Sequence, residues 1–146
     1  MMRDKLGLFG VDEKDKFLIL DLLTWMHQKK IDYTNIFCHL MNENIKEDKD
    51  YEDEDFKNWK KRWNERLKTN NNTPEKSLKL MRSANPIVIP RNHKVEEALE
   101  AAEKNNFKPI TRLVEILKDP YSQQKNIINY QIPSNSEKKY QTFCGT

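Results

Sequence analysis

The sequence predicts an all-α protein: about six short helices in an irregular bundle, followed by an extended carboxy-terminal tail. Three observations carry this reading. Apolar residues recur at three- and four-residue intervals through most of residues 1–118, the only glycines are Gly7, Gly10 and Gly145, and helix start and stop signals separate the periodic stretches. Asp12 is expected to cap a helix reaching about residue 29, apolar on more than one face through Phe17, Leu18, Leu20, Leu22, Leu23, Trp25 and Met26, and so largely buried. A second helix starts near Asp32 or Thr34 and presents Ile36, Phe37, Leu40 and Met41. In residues 56–68, Phe56, Trp59, Trp63 and Leu67 form one stripe, with a basic outer face between them.

Thr73-Pro74-Glu75 is a helix start, because Thr caps, Pro suits the first helical position and Glu favours the first turn; the helix runs to about Arg82. The next spans about residues 93–105, with Val95, Ala98, Leu99 and Ala102 as a slim face that lets a partner approach closely. Residues 107–109 connect it tightly to a helix that buries Leu113, Val114, Ile116 and Leu117 before Asp119-Pro120 stops it, and the two should form an antiparallel hairpin. The helical region is therefore 1–118, interrupted by an acidic linker at 47–55, a polar linker at 69–73 and a proline-bounded connector at 85–92. Residues 119–146 read as an irregular tail that Tyr130 and Tyr140 could anchor.

The connector opens the string NPIVIPRNHKVEEAL from Asn85, in which a short apolar core lies between two prolines. Each proline fixes one torsion and removes a donor, so Asn85-Pro86 and Ile89-Pro90 must be extended or turned. Arg91, Asn92 and His93 then leave in a defined direction, a donor fork, an amide and an imidazole suited to clamping a polypeptide segment or an anion. The plainer alternative is that Asn92 or His93 caps a helix while Arg91 pairs with a carboxylate.

Composition bounds the function. The 146 residues suffice for one modest domain, with a thin core built on three Trp, five Tyr and six Phe. A formal charge of +3 is too small to imply nucleic-acid binding. No apolar run is long enough to cross a membrane and no signal-like start follows Met1-Met2, so a soluble compartment is the default expectation. Cys38 and Cys144 match neither a metal nor a CxxC spacing.

Each apparent chemical motif has a plainer counterpart. The acidic run lacks the glycine and ligand spacing of a calcium loop and reads as a solvated linker. The tryptophans of residues 56–68 could stack bases, yet their place on the apolar stripe favours the core. His27, Cys38 and His39 might suggest a metal, but adjacent Cys38 and His39 diverge on a helix. No Ser-His-Asp order, phosphate-cradling glycine loop or HExxH is present, so no complete active site, cofactor site or metal site is expected in the chain. Cys144, third from the end, is either an accessible exchange thiol or an inert thiol on a frayed end.

Together these residues resemble the carboxy-terminal region of the selenoprotein O family, also called the YdiU family, of protein adenylyltransferases. The resemblance runs from Lys5-Leu6-Gly7-Leu8 through Leu22-Leu23, Met26, Asp32-Tyr33-Thr34 and Phe37. It is strongest in Asn85-Pro86, residues 89–93, Val95-Glu96 and Ala98-Leu99, and closes with Pro120-Tyr121 and Thr142-Phe143-Cys144-Gly145-Thr146. Cys38 departs from it, since the family more often has arginine after the phenylalanine.

The resemblance implies a kinase-like protein that transfers AMP from ATP to protein hydroxyls with magnesium, or UMP with manganese in some members. Its glycine-rich loop, lysine–glutamate pair, base aspartate and metal-binding Asn and Asp would all lie upstream of residue 1. The chain is then expected to be inactive alone, to partner the missing kinase-like portion through the Asn85 to His93 segment, and to self-associate when isolated. Asn85, Pro86, Pro90, Arg91, Asn92, His93 and Glu96 become structural family-motif residues. Cys144 takes the position of a selenocysteine or cysteine linked to redox control through a cysteine of the kinase-like part. The setting implied is cytoplasmic for a bacterial member and mitochondrial for a eukaryotic one. The alternative is a free-standing helical interaction or redox-responsive module with no nucleotide chemistry.

Overall fold

The computed structural model describes residues 1–42 and 49–134. In chain order the helices are α1 (Met2–Lys5), α2 (Asp15–Lys29), α3 (Tyr33–Leu40), α4 (Glu54–Lys68), α5 (Pro74–Ala84), α6 (Asn92–Glu103), α7 (Lys108–Leu117) and α8 (Ile128–Gln131), with a 3-10 turn at Lys49–Glu52. Among the described residues there is no strand, and the fold is all-α as the periodicity predicts.

The core forms where α4 lies against α2. Phe56, Trp59 and Trp63 are buried and stack in series, with Trp25 of α2 against Phe56 at 4.6 Å between ring centroids. Two indoles are also hydrogen-bonded: Trp59 Nε1 donates to the Leu18 carbonyl at 2.8 Å and Trp63 Nε1 to the Leu6 carbonyl at 2.9 Å. Large aromatic bodies with a satisfied polar handle tie α4 to both α2 and the amino-terminal turn.

α2 departs from expectation at its start and on one face. Asp12 does not cap it; the Asp12 carboxylate accepts from the Lys14 N–H at 2.8 Å in a turn that precedes the helix. Leu18, Leu22, Trp25 and Met26 are buried, but Phe17 and Leu20 are 56% and 59% exposed. Apolar residues around a helix show what could be buried; only the side that meets α4 and α1 is.

α3 begins as predicted, with Asp32 accepting from the Thr34 and Asn35 N–H groups at 3.2 and 2.9 Å and with Ile36, Phe37, Leu40 and Met41 buried. The acidic stretch is not all linker. Asp53 caps α4, Glu54 and Asp55 form its first turn where carboxylates suit the helix dipole, and Tyr51 is buried against the His39 ring at 4.1 Å. Residues 47–48 lie outside the described residues.

α5 starts at the Thr73 cap and crosses α1, where Gly7 adopts φ 67°. A Cβ on Gly7 would stand 3.0 Å from Met81 Cγ and from the Ser77 carbonyl oxygen, so both conformation and proximity require glycine. α6 and α7 pair as the expected hairpin around buried Ala98 and Leu113, turning at Asn105 with φ 59°. Two residues depart from expectation: Leu99 and Val114 are 50% and 51% exposed. Only the seam between the two helices and the Ile116 edge are covered.

The tail is more ordered than its lack of period suggests. The Ile87 and Val88 N–H groups both donate to the Pro120 carbonyl, at 2.7 and 3.3 Å, Ile127 is buried, and Tyr130 of α8 packs half-buried on the core. Residues 135–146, with Tyr140 and Cys144, lie outside the described residues.

Candidate functional site

The connector is the point where distant parts of the chain meet. Asn85 follows α5 and is 1% exposed. Its amide donates to the Lys5 and Met81 carbonyls, each at 2.9 Å, and its Oδ1 accepts from Lys5 Nζ at 3.2 Å. Lys5 Nζ donates also to the Ala84 carbonyl at 2.9 Å, and burial pushes the Lys5 ammonium down from its ordinary value. Pro86 then directs Ile87 and Val88 into the core, both 1% exposed. Behind them, buried Gln131 of α8 donates to the Ile87 carbonyl at 3.0 Å, and its own carbonyl accepts from Asn35 of α3 at 3.1 Å. Cys38, fully buried, lies 3.7 Å from the Pro86 carbonyl oxygen.

After Pro90, Arg91 turns its guanidinium onto α3. Nη1 and Nη2 donate to Asp32 Oδ2 and Oδ1 at 2.6 and 2.8 Å, and Nη2 reaches Asn35 Oδ1 at 3.2 Å. Burial alone would raise the Asp32 carboxyl. The Arg91 hydrogen bonds, the Asn35 and Thr34 N–H groups and the guanidinium charge outweigh it and hold the carboxyl below the usual carboxylate range. The fork is thus directed at an internal partner. Of the two readings of this segment, pairing of Arg91 with a carboxylate is the one observed, whereas capping by Asn92 or His93 is not. Asn92 is exposed as the first residue of α6, His93 is half-buried on it, Glu96 is exposed, and Arg91 occupies the cap position without a side-chain bond to the α6 backbone.

A second polar centre was not visible in the sequence. Asp15, 1% exposed on the buried side of α2, receives Arg66 Nε at 2.7 Å and Arg3 Nε at 3.0 Å. Arg66 also donates to the Phe9 carbonyl at 3.0 Å and to Asn70 Oδ1 at 2.8 Å, and the Asn70 amide donates to the Gly7 carbonyl at 2.9 Å. The available signal was positional: Asp15 falls on the same stripe as Leu18, Leu22 and Trp25, where a charge demands a partner. A cleft of about 480 Å³ opens beside it, lined by Asp12, Phe17, Leu18, Arg62, Glu65 and Arg66.

Each centre pairs a carboxylate with guanidinium, Asp32 with Arg91 and Asp15 with Arg66 and Arg3. Among the described residues no three of His, Cys, Asp and Glu gather to hold a metal ion. Gly7 backs onto Met81 and Ser77, its N–H donates to the Asp4 carbonyl at 3.1 Å and its carbonyl accepts from Asn70. Trp59 and Trp63 are 2% and 4% exposed and have no face to offer a base. No helix of the described residues is long and apolar enough to cross a membrane.

Comparison with known proteins supplies what the geometry does not. The family model described as protein adenylyltransferase SelO matches residues 1–118. A protein nucleotidyltransferase YdiU of Pelagibacter ubique (strain HTCC1062) is 51% identical over 147 residues, covering 100% of this chain and 30% of the relative. Those of Nitrosococcus oceani and Alcanivorax borkumensis are 45% and 46% identical, again over 100% of this chain and over 30% and 31% of their own lengths. The chain therefore spans about 30% of the curated relatives it matches. With a family model over most of its length and the Asn85–Arg91 string folded into its central junction, the chain belongs to the protein adenylyltransferase SelO family.

Proposed function

We propose that the chain is the carboxy-terminal helical segment of a nucleotidyltransferase that moves AMP from ATP to Ser, Thr or Tyr hydroxyls of proteins, and that it serves as a scaffold for the catalytic portion. Nucleotide and divalent metal, magnesium or manganese, bind that other portion, and the isolated chain transfers nothing. The observation that carries this reading is the match to about 30% of the relatives, in a structure where Asn85 and Arg91 of the family string are engaged in internal bonds. Arg91, Asn85 and Pro86 set the angle between α3, α5 and α6, which is a task of shape.

The tail adds regulation in this reading. Cys144 forms a mixed disulfide with a cysteine of the catalytic portion under oxidising conditions, two thiols passing two electrons and two protons to an oxidant such as glutathione disulfide.

Thermal unfolding of the chain with and without ATP and magnesium tests the reading. No shift is expected. A ligand present at a hundred times its Kd would stabilise by about 2.7 kcal/mol, so a clear rise in Tm for the chain alone would place the nucleotide site within it and overturn the proposal.

A further inference from the structure

Lys5 brings a charge to a half-buried place with no carboxylate on it among the described residues. Its Nζ donates to the Ala84 carbonyl at 2.9 Å and to Asn85 Oδ1 at 3.2 Å, both neutral acceptors, and these bonds use two of its three donors. The ammonium also lies 5.1 Å from the Phe37 ring centroid and 5.6 Å from that of Tyr33. Carbonyl dipoles and ring faces temper a cation without neutralising it. Every other buried or half-buried cation of the two polar centres, Arg66, Arg3 and Arg91, has a carboxylate.

A cavity of about 220 Å³ opens at this point, with Lys5, Tyr33, Thr34, Phe37, Asn85 and Ile89 in its wall. Asn85, Tyr33 and Phe37 are also the residues around Lys5 Nζ, which places the ammonium at the wall of the cavity. The Thr34 N–H is bound to Asp32, whereas its hydroxyl is engaged by no described residue. The cavity is preformed: Asn85 is held by the Lys5 and Met81 carbonyls, and α3 by its Asp32 cap. Its size lies below that of pockets for drug-sized ligands, so it suits a group of only a few carbons.

We propose that this cavity binds a small aliphatic monocarboxylate, with the carboxylate on Lys5 Nζ and the Thr34 hydroxyl and the stem against Tyr33, Phe37 and Ile89. The carboxylate supplies the countercharge that Lys5 lacks, in a partly desolvated setting where a charge-assisted hydrogen bond is stronger than at the surface. The stem removes apolar wall from water. A phosphate or a dicarboxylate fits less well, because it brings a second negative charge to a wall with one cation.

The test uses the unaltered chain, with 3-methylbutanoate as the probe and trace N-hydroxysuccinimidyl acetate as the lysine reagent. An amine must be unprotonated to attack the reagent, so a carboxylate on Lys5 slows its acetylation both by shielding it and by holding the proton. Acetylation is read site by site by mass spectrometry, with the exposed Lys16 and Lys61 as internal references. The probe at about 50 mM is expected to slow acetylation of Lys5 relative to the references at least fivefold, as one-site binding with a Kd of about 10 mM or below requires. The same concentration of 3-methylbutan-1-ol, with sodium chloride matching the ionic strength, should leave it unchanged. No slowing by the acid would overturn the site. Equal slowing by the alcohol would overturn it too, since the cavity would then take the stem without the ammonium reading the charge. Slowing by inorganic phosphate as strong as by the acid would overturn the ligand class and mark a general anion site.

Discussion

Arg91 grips Asp32 at two points, Nη1 on Oδ2 at 2.6 Å and Nη2 on Oδ1 at 2.8 Å, while the same carboxylate caps α3 through the Thr34 and Asn35 N–H groups. One side chain thus closes a helix start and fixes the exit of the connector. Arg91→Ala removes the fork and leaves a partly buried carboxylate without its cation, at an expected cost of about 2 kcal/mol in urea unfolding. Arg91→Lys recovers only part, since an ammonium cannot make the paired contact.

The same pair gives a pH dependence of defined sign. The Asp32 carboxyl lies below its ordinary value in the folded state, so the unfolded chain binds the proton more tightly. Its contribution is full above the ordinary carboxylate pKa of about 4 and is lost as pH falls through the lower folded value. Comparing unfolding free energies of the chain and of Asp32→Asn between pH 6 and pH 3 should show the difference shrinking toward acid. A difference that grows toward acid would contradict the assignment.

How much of this was legible in the sequence varies from element to element. The Thr73-Pro74 start, the Asp32 cap and the Phe56, Trp59, Trp63 stripe are local statements, and each survives in the fold. What periodicity cannot say is which apolar face finds a partner. Phe17 and Leu20 look as hydrophobic as Leu18 and Leu22, yet only the latter are buried. The order at residues 121–134 is illegible for a related reason: Ile127 and Gln131 dock as single anchors, and single anchors leave no period. The Asp15–Arg66 pair escaped notice because its members sit on different helices and no local rule joins them.

Gly7 offers a test of close approach against conformation. Gly7→Ala and Gly10→Ala both place a side chain at positive φ, 67° and 71°. Only Gly7 has neighbours in the way, Met81 Cγ and the Ser77 carbonyl oxygen at 3.0 Å, whereas nothing lies within 4 Å at Gly10. Gly10→Ala is expected to cost about 1 kcal/mol and Gly7→Ala about 2 kcal/mol or more. Equal losses of Tm in the two variants would show that the α1–α5 crossing yields easily.

The role of the α4 tryptophans separates core from nucleic-acid surface. Trp63→Phe keeps an aromatic body but leaves the Leu6 carbonyl without the indole N–H it accepts at 2.9 Å, so a loss of about 1 kcal/mol is expected. Trp63→Ala should cost about 3–5 kcal/mol. Fluorescence titration of the intact chain with a single-stranded oligonucleotide should leave the tryptophan emission unchanged, because stacking on Trp59 or Trp63 would require the core to open.

Asp15 and Arg66 should behave as one unit. Asp15→Ala leaves Arg66, 10% exposed, beside Arg3 with only Asp12 at 4.0 Å, and Arg66→Ala leaves a fully buried carboxylate with Arg3 as its one remaining cation. Each single change is expected to cost about 3 kcal/mol, much of it the penalty of a buried charge left under-compensated rather than the worth of the bond. In the double variant that penalty disappears, while the Arg66 bonds to Phe9 and Asn70 stay lost. The double loss should therefore fall below the sum of the singles by about 2 kcal/mol, read from a double-mutant cycle in urea. Simple additivity would mean that the two groups are solvated independently, and that the α2–α4 contact does not draw on their pairing.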